Sequence, residues 1–354
     1  MKALITAGGH GTRLRPITHT QNKHLIPIAN KPILNYALEY VRDAGIREVG
    51  IITNKEGSEV RDVYGDGSAL GLKIVYIPQE RPAGLADCVR IARPFIGDEP
   101  FVFYLGDNII VGGIRRFIDE FEQNETTCHL VLAKVPDPER FGVPEIIDNR
   151  IVGIVEKPTE PLSDFAVTGI YIYDHHIFEA VNNIKPSDRG ELEISDAHQY
   201  LLNKGYKVTF SEITGWWKDT GKPSDLLEAN RLVLDNIVTS IEGKVDQGSR
   251  ISGRVVIGKD AEIINSNIRG PVIIGDGAKI VNAYIGPYTA IDKNCEISDA
   301  EVEFSIVSCN CVIRNQKIRI EASLLGKDVQ IVESQAKPFT NRFIIGDQSL
   351  IEIR

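Results

Sequence analysis

The stretch KALITAGGHGTRLRP, residues 2–16, joins a short apolar segment to a glycine-rich turn. The apolar part predicts a β-strand, and the turn places Gly8, Gly9 and Gly11 just before Arg13. Because glycine carries no side chain, the backbone N–H groups of such a turn can close on phosphate oxygens. The stretch therefore predicts the first strand of an α/β sheet, with a phosphate-binding turn at its carboxyl end.

The glycine spacing excludes two common phosphate-binding motifs. A GxGxxG motif beginning at Gly9 would need a third glycine where the chain has Leu14, and a Walker A motif would need Gly-Lys-Ser/Thr after four spacers. Instead, Arg13 lies two residues after Gly11, and Lys23 lies ten residues further along the chain. Arg13 supplies a forked donor and Lys23 a point charge, so the two predict contacts with phosphate. A structural turn flanked by solvated basic residues is the alternative.

Apolar and amphipathic segments alternate along the first 240 residues. The predicted strands cover residues 2–7, 48–53, 72–77, 100–108, 127–135, 143–147, 151–155 and 167–173. The predicted helices cover residues 31–45, 84–95, 175–183, 194–204 and 222–238. Strands that alternate with helices predict a doubly wound sheet, so the expected fold class is α/β with a Rossmann-like mixed sheet.

The pattern changes after about residue 245. Isoleucine or valine then recurs in steps of 6, 6 and 5, so that Ile251, Ile268 and Ile285 are equivalent. A helix has an apolar period of 3.6, so this spacing predicts a solenoid in which three short strands close one coil. It resembles the hexapeptide repeat of left-handed β-helices, and residues 324–331 and 343–353 resume it. The sequence thus predicts an α/β domain at residues 1–240 and a left-handed β-helix at 241–354.

The composition is that of an ordinary globular protein. The chain has 354 residues and a net charge of −9, which argues against a general nucleic-acid or membrane partner. The N-terminal apolar run is too short for a signal peptide, and no stretch approaches the ~20 apolar residues of a membrane span. Five scattered cysteines form no CxxC pair, so free thiols in a reducing cytoplasm are expected.

Two aspartates are candidate metal ligands. Asp107 in LGDN follows a predicted buried strand, where ligands of α/β sheets bind, and Asp219 lies in the turn WWKDTG. Mg²⁺ takes one or two protein carboxylates together with phosphate oxygens, so both aspartates on a triphosphate would suit it. Glu156 and Lys157 are neighbours on a predicted strand, and the turn before Pro158 must redirect them if both face one site. Turn or capping aspartates and a solvated Glu–Lys pair are the alternatives.

Taken together and in this order, the motifs resemble those of the sugar-1-phosphate nucleotidylyltransferases, in the long form that ends in a β-helix. The motifs are AGGxGTRL, KxLxPI, Gln79 with GLA, LGDN, DPERFGV, EKP, VTGIY, RGELEI and DTG. The resemblance implies transfer of a nucleotidyl group from dTTP, or alternatively from UTP, to glucose 1-phosphate, with Mg²⁺ as cofactor. Because exposed faces of β-helices often pair, a homo-oligomer is expected.

The resemblance also implies roles for single residues. It gives catalytic roles to Arg13, Lys23 and Asp107, and it places Asp107 and Asp219 on Mg²⁺. The residues implied to bind the nucleotide are Gly8, Gly9, Gly11, Thr12, Arg13, Gln79, Pro82 and Gly84. Those implied to bind the sugar phosphate are Asn108, Gly142, Glu156, Lys157, Val167, Tyr171 and Arg189.

Four positions depart from the usual pattern of the family. They are Thr6, His10, His24 and Phe141, where an aliphatic residue, a small residue, glutamine and tyrosine are usual. These differences bear on the choice of sugar and base. His10 has no role that the sequence assigns.

Two other functions remain open on the sequence. A β-helix can carry acetyl transfer, generally with a histidine base, but all seven histidines precede the repeat. A non-catalytic regulator that only binds a sugar nucleotide would not need the arginine, lysine and two aspartates described above, which are all present. The sequence therefore favours nucleotidyl transfer.

Overall fold

A computed structural model describes residues 1–9, 11–54, 58–333 and 341–353. The chain forms two compact units. The first comprises the described residues of 1–10, 22–25 and 33–219, and the second those of 11–21, 26–32 and 220–354. Two short segments near the N-terminus thus group with the C-terminal part of the chain. The domain boundary at residue 240 stays a prediction of the sequence.

The secondary structure before the repeats consists of short strands and helices. The strands are β1 (Lys2–Thr6), β2 (Pro27–Ile28), β3 (Lys31–Pro32), β4 (Glu48–Asn54), β5 (Lys73–Gln79), β6 (Phe101–Leu105), β7 (Asn108–Ile110), β8 (Cys128–Lys134), β9 (Gly142–Ile147), β10 (Arg150–Glu156), β11 (Phe165–Tyr173), β12 (Val208–Glu212) and β13 (Trp217–Asp219). The α-helices are α1 (Ile33–Asp43), α2 (Ser58–Tyr64), α3 (Leu85–Ile91), α4 (Arg93–Ile96), α5 (Arg115–Asn124), α6 (Ile177–Asn183), α7 (Ile194–Asn203) and α8 (Pro223–Leu234). Within the described ranges, none of these helices has the length and apolar character needed to cross a membrane.

The first unit is built on a mixed sheet with the strand order β10-β9-β11-β6-β1-β4-β5; β8 also pairs with β11, and β12 pairs with β8. Strand β1 runs parallel to β4 and β6, whereas β11 runs antiparallel to β6. Along β1, Ala3 and Ile5 pack in one apolar core and Leu4 in another. Because successive side chains of a strand point to opposite faces, the sheet is covered on both sides. The predicted doubly wound sheet is confirmed.

The second unit contains a β-helix with three parallel sheets. One sheet consists of β14 (Ser240–Ile241), β17 (Val255–Ile257), β20 (Val272–Ile274), β23 (Thr289–Ile291), β26 (Ile306–Val307) and β29 (Leu324–Leu325). The next consists of β15 (Lys244–Val245), β18 (Glu262–Ile264), β21 (Lys279–Val281), β24 (Glu296–Ser298), β27 (Val312–Arg314) and β30 (Gln330–Val332). The third consists of β16 (Arg250–Ser252), β19 (Asn267–Arg269), β22 (Tyr284–Ile285), β25 (Glu301–Glu303) and β28 (Ile320–Glu321).

The register of these sheets confirms the predicted repeat. Ile251 pairs with Ile268, which pairs with Ile285, so residues seventeen apart stack. Where a corner is longer, the stacking is kept, since Val302 pairs with Ile320. Residues 324–331 continue the coils as predicted, whereas residues 343–353 form no strand and expose their large apolar side chains.

Helix α8 belongs with the β-helix. The buried side chain of Asn230, on this helix, forms hydrogen bonds with backbone groups of the β-helix and of the segment 26–32. Nδ2 of Asn230 donates to the carbonyl oxygen of Tyr288 at 2.9 Å, and its Oδ1 accepts from the backbone nitrogen of Ala29 at 2.9 Å. The helix and the segment 26–32 are therefore tied to the coils rather than to the mixed sheet.

Candidate active site

The glycine-rich turn begins where β1 ends, at the carboxyl edge of the parallel strands. A Cβ atom at Gly8 would lie 3.0 Å from the backbone nitrogen of Asn54, at the end of β4. A Cβ atom at Gly9 would lie 3.0 Å from Cε of Lys23. A larger residue at either position would therefore displace the backbone or Lys23.

The rest of the predicted turn belongs to the second unit. Gly11 has a φ of +59°, a left-handed conformation that favours glycine, and its carbonyl accepts a 2.7 Å hydrogen bond from Oγ1 of Thr18. Thr12 and Arg13 follow in a short 3-10 helix, and both are exposed. His10 lies outside the described residues. The nucleotide-binding roles of Gly11, Thr12 and Arg13 stay predictions.

Asp107 lies just after β6, in the turn that leads into β7. Gly106 permits this turn, because a Cβ atom there would lie 2.3 Å from the carbonyl oxygen of Thr6. Lys23 forms an ion pair with Oδ2 of Asp107, and Nδ2 of Asn108 donates to Oδ1 at 3.0 Å. Burial by itself would raise the pKa of Asp107, but the charge of Lys23 and these hydrogen bonds hold that pKa well below its usual range. The carboxylate is therefore ionised at neutral pH, the form that binds a cation.

A chain of hydrogen bonds that the sequence analysis missed holds the segment of Lys23. Nδ2 of Asn22 donates to the carbonyl oxygen of Ala7 at 2.9 Å, and Oδ1 of Asn22 accepts from the backbone nitrogen of His24 at 2.9 Å. The His24 ring is buried, and burial together with the charge of Lys23 lowers the pKa of His24 to about 3. His24 is therefore neutral at pH 7, and Lys23 carries the charge of this segment.

Asp219 reaches the same region through strand pairing. Strand β13 runs antiparallel to β7, and the register places Asp219 opposite Asn108, the neighbour of Asp107. Nε1 of Trp217 donates a 2.6 Å hydrogen bond to Oδ1 of Asn108, which ties the two strands together. Carboxylates are suitable ligands for a hard divalent cation, and the metal-binding role of Asp107 and Asp219 stays a prediction.

Gln79, at the end of β5, is linked to the start of α3. Its Nε2 donates to the carbonyl oxygen of Gly84 at 3.3 Å and to Oδ2 of Asp87 at 2.8 Å. Asp87 is buried and also accepts a 2.5 Å hydrogen bond from Arg90. Gly84 has a φ of +99°, and a Cβ atom there would lie 2.4 Å from the carbonyl oxygen of Leu192. Asp87, which the sequence analysis missed, therefore fixes the orientation of the Gln79 amide.

Glu156 and Lys157 come together through a turn of the backbone. Lys157 has a φ of +45°, and its ammonium lies 3.2 Å from Oε1 of Glu156. A guanidinium nitrogen of Arg189 lies 3.5 Å from the same oxygen and 2.8 Å from Oε1 of Glu193. Oγ of Ser195 donates to Oε2 of Glu156 at 2.7 Å. Two cations thus surround one carboxylate, and the sugar-phosphate roles of Glu156, Lys157 and Arg189 stay predictions.

Gly142 and Val167 border this cluster. Gly142 lies opposite Glu156 on β10 and opposite Val167 on β11. A Cβ atom at Gly142 would lie 2.7 Å from Oγ of Ser195, so only glycine leaves that hydroxyl in place. Val167 itself is buried, and Pro82 is exposed in the loop between β5 and α3. Their roles in substrate binding stay predictions.

Tyr171 lies near both parts of the site. Its ring is buried on β11 and packs against Phe103, with the ring centroids 5.6 Å apart. Burial raises the pKa of this tyrosine, and the negative charges of Glu156, Asp107 and Asp219 raise it further. Tyr171 is therefore a neutral hydroxyl close to the carboxylates of both clusters.

Similarities to known proteins bear on what this site does. The nucleotidyl transferase family model matches residues 2–236. A glucose-1-phosphate thymidylyltransferase of Streptomyces griseus is 48% identical over 354 residues, which cover 100% of this chain and 99% of the relative. A crystal structure from Bacillus anthracis, assigned as a glucose-1-phosphate thymidylyltransferase in complex with sucrose, is 40% identical with a TM-score of 0.64, and the match covers 68% of this chain and 97% of that one. A UDP-glucose pyrophosphorylase structure with UDP-glucose is 26% identical with a TM-score of 0.60, covering 67% of this chain and 99% of that one.

Proposed function

The chain belongs to the nucleotidyl transferase family, and from this we propose that it transfers the thymidylyl group of dTTP to glucose 1-phosphate, giving dTDP-glucose and pyrophosphate. The observation that carries the proposal is the 48% identity, over the whole chain, with the Streptomyces griseus thymidylyltransferase. The geometry supports it, because Lys23 lies in one charged cluster and Lys157 with Arg189 in another. One cationic region for each phosphate group suits two phosphorylated substrates.

The reaction joins two anions, so charge repulsion is its main obstacle. An oxygen of the sugar phosphate attacks the α-phosphorus of the triphosphate, and the bond to pyrophosphate breaks as the new P–O bond forms. A phosphate monoester has a second pKa near ~6, so this nucleophile is already largely ionised at pH 7 and needs no general base. Positioning and charge stabilisation then supply the catalysis.

Asp107, Asp219 and Lys23 act at the triphosphate in this proposal. Nucleotidyltransferases generally use a divalent metal ion, and we assign Mg²⁺ to Asp107 and Asp219. When bound, Mg²⁺ neutralises and orients the triphosphate. Lys23 keeps Asp107 ionised and adds its own positive charge, and Asn108 fixes the orientation of the carboxylate. The sequence adds Arg13 as a forked donor to the same phosphates.

The cluster around Glu156 acts at the sugar phosphate. Lys157 and Arg189 bind the phosphate, because both cations lie within 3.5 Å of one Glu156 oxygen and so are held at one place. Glu156 accepts from sugar hydroxyls, and Ser195 holds its second oxygen. Gly142 leaves room for this contact, and Tyr171 adds a neutral hydroxyl beside it.

Gln79 reads the base, and this leaves uridylyl transfer as a second candidate. Asp87 and the Gly84 carbonyl engage the amide nitrogen of Gln79. Thymine and uracil share the polar edge that an amide can read, and one methyl group typically gives only ~1–3 kcal/mol of discrimination. The similarity to a UDP-glucose pyrophosphorylase favours keeping UTP as the alternative.

A matrix of nucleotides and sugars tests the proposal. Pyrophosphate release would be measured for dTTP, UTP, GTP and CTP against several sugar 1-phosphates, with Mg²⁺ and with a chelator. We expect the highest kcat/KM for dTTP with glucose 1-phosphate and no release with the chelator. A higher kcat/KM with UTP would replace the first candidate by the second, and the absence of release with every pair would overturn nucleotidyl transfer.

A cytoplasmic homo-oligomer completes the proposal. All five cysteines are free, as expected in a reducing compartment. The faces of the β-helix offer surfaces through which copies of the chain can pair. Light scattering of the purified chain tests the oligomer, and fractionation of cells tests the location.

A further inference from the structure

The segment FIIGDQSLIE, residues 343–352, repeats the sequence of a β-helix coil. It aligns without gaps with VIIGDGAKIV, residues 272–281, which forms β20, a turn and β21. The alignment matches Ile345 and Ile351 with the two isoleucines of that coil that point inward. Residues 343–352, called the tail below, therefore carry the inward apolar positions of a further coil.

The tail backbone also has the conformation of a coil corner. Gln348 has a φ of +63°, and the equivalent Gly277 has a φ of +67°. The equivalent residues of other coils share this left-handed conformation, with φ of +55°, +57°, +61° and +61° at Asp260, Asn294, Asn310 and Asp328. This conformation is uncommon for residues other than glycine, so its recurrence at one position identifies the tail as a coil fragment.

The tail nevertheless lacks the packing of a coil. Ile345 and Ile351 are 58% and 48% exposed, whereas the equivalent Ile274 and Ile280 are 0% exposed. Within the described residues, the tail pairs with no strand. An isolated pair of short apolar strands is not stable in water, so the tail needs a surface to cover its isoleucines.

The last coil of the β-helix offers the matching surface. Its inward residues Leu325 and Ile331 are half-buried, whereas Val307 and Ile313, one coil earlier, are buried. The two sheets end at β29 and β30, whose outer edges have no partner strand among the described residues. A solenoid needs a cap, because an open end leaves apolar residues and backbone groups uncovered.

The corner charges are complementary as well. Inside the β-helix, the backbone nitrogen of Lys259 donates to Oδ1 of Asp276, in the next coil, at 2.8 Å. Asp347 of the tail occupies the position of Asp276, and Lys327 of the last coil occupies that of Lys259. A tail stacked on the last coil would therefore place the Asp347 carboxylate at the corner that carries Lys327 and a backbone donor.

We propose that the tail of one copy of the chain binds the open end of the β-helix of a second copy. Residues 343–345 add a strand beside β29 and residues 350–352 add one beside β30, so that the inward isoleucines cover Leu325 and Ile331. The occupant is a second copy because, within one chain, the tail leaves its isoleucines exposed. Both copies carry the same tail and the same open end, so the exchange is reciprocal and two-fold symmetric. The proposal concerns assembly and does not depend on the substrates.

The first test removes the inward isoleucines in the full chain. The double variant Ile345→Asp, Ile351→Asp is expected to halve the particle mass measured by light scattering, while pyrophosphate release confirms that the chain is folded. Glu352→Gln is the matched control, because the equivalent Val281 lies outside the apolar core. A particle mass equal to that of the unmodified chain in the double variant overturns the proposal.

The second test asks which chain the tail binds. Leu324 pairs with Ile306 in the outward row of its sheet, and Ile344 of the tail would extend that row. Co-expressed Leu324→Cys and Ile344→Cys chains are therefore expected to give a disulfide-linked dimer on mild oxidation, which neither variant gives alone. The proposal is overturned if the mixed chains give no disulfide-linked dimer while a single chain that carries both cysteines forms a disulfide within itself.

Discussion

The two units differ in how far apart in the sequence their contacting residues lie. In the α/β unit, Lys23 binds Asp107 across 84 residues and Trp217 binds Asn108 across 109. In the β-helix, Ile251 stacks on Ile268 and the same short spacing recurs from coil to coil. A solenoid is therefore stabilised by many equivalent local contacts, whereas the site depends on a few contacts that nothing else duplicates.

The largest effect is expected from breaking one of these unique contacts. Asp107→Asn removes the charge that pairs with Lys23 and that we propose to bind Mg²⁺, so kcat for pyrophosphate release should fall by about 10³-fold. Asp98→Asn is the matched control, because Asp98 is an exposed aspartate of the same unit that pairs only at the surface with Arg93. An Asp107→Asn variant with the kcat of the control would remove Asp107 from the catalytic step.

The next effect tests a residue that only the sequence assigns to the phosphates. Arg13→Ala should lower kcat by about 10²–10³, the scale of losing one preorganised donor. Arg15→Ala is the control, because Arg15 is exposed in the same segment and carries the same charge. Equal kcat in the two variants would show that Arg13 is a solvated residue of a structural turn.

In the β-helix, a single substitution should change stability and leave kcat alone. Ile280 is 0% exposed between two coils, so Ile280→Ala should lower the free energy of unfolding by about 2–5 kcal/mol. Ile264→Ala, at a position 36% exposed, should change it by less than about 0.5 kcal/mol. Denaturant unfolding measures both. Equal losses in the two variants would mean that the inward row does not stabilise the coil.

The smallest effect is expected on the pH dependence of the free energy of unfolding in acid. Burial lowers the pKa of His198 to about 3, and its ring accepts from or donates to the hydroxyl of Tyr173 at 2.6 Å. An unfolded histidine has a pKa of ~6.5, so between pH ~6.5 and the folded-state pKa the unfolded state binds more protons than the folded state. The free energy of unfolding therefore decreases as the pH is lowered through this range, by up to ~1.4 kcal/mol per pH unit. His198→Gln should flatten this dependence between about pH 6.5 and 4, and the exposed His19→Gln should not. An unchanged slope in His198→Gln would contradict the assignment.

The sequence predicted which residues of successive β-helix coils stack, but it predicted the site only in part. The repeat fixes which isoleucines stack, because each contact lies one coil away. Asn22 and Asp87 were missed because their partners are set by folding, and Asp87 in the first turn of α3 is also a common helix-start residue. The tail was expected to continue the coils, and its pattern alone could not show that its isoleucines stay exposed.

The contact between the Glu156 and Lys157 side chains likewise could not be predicted in full from the sequence. Neighbours on a strand point in opposite directions, so the sequence predicted only that a turn must redirect them. The left-handed φ of Lys157 is that turn, and it places the two side chains 3.2 Å apart. Backbone conformation at one residue therefore decides whether these two side chains meet.

The corners of the β-helix absorb changes in chain length. Val302 pairs with Ile320, one residue beyond the usual spacing, and Ala290 pairs with Ile306, one residue short of it, yet both rows stay aligned. A peptide inserted at a corner should therefore be displayed on the surface without disturbing the strands on either side. Duplication of a whole coil would likewise lengthen the rod by one layer, which makes the β-helix the part of the chain most open to growth by insertion.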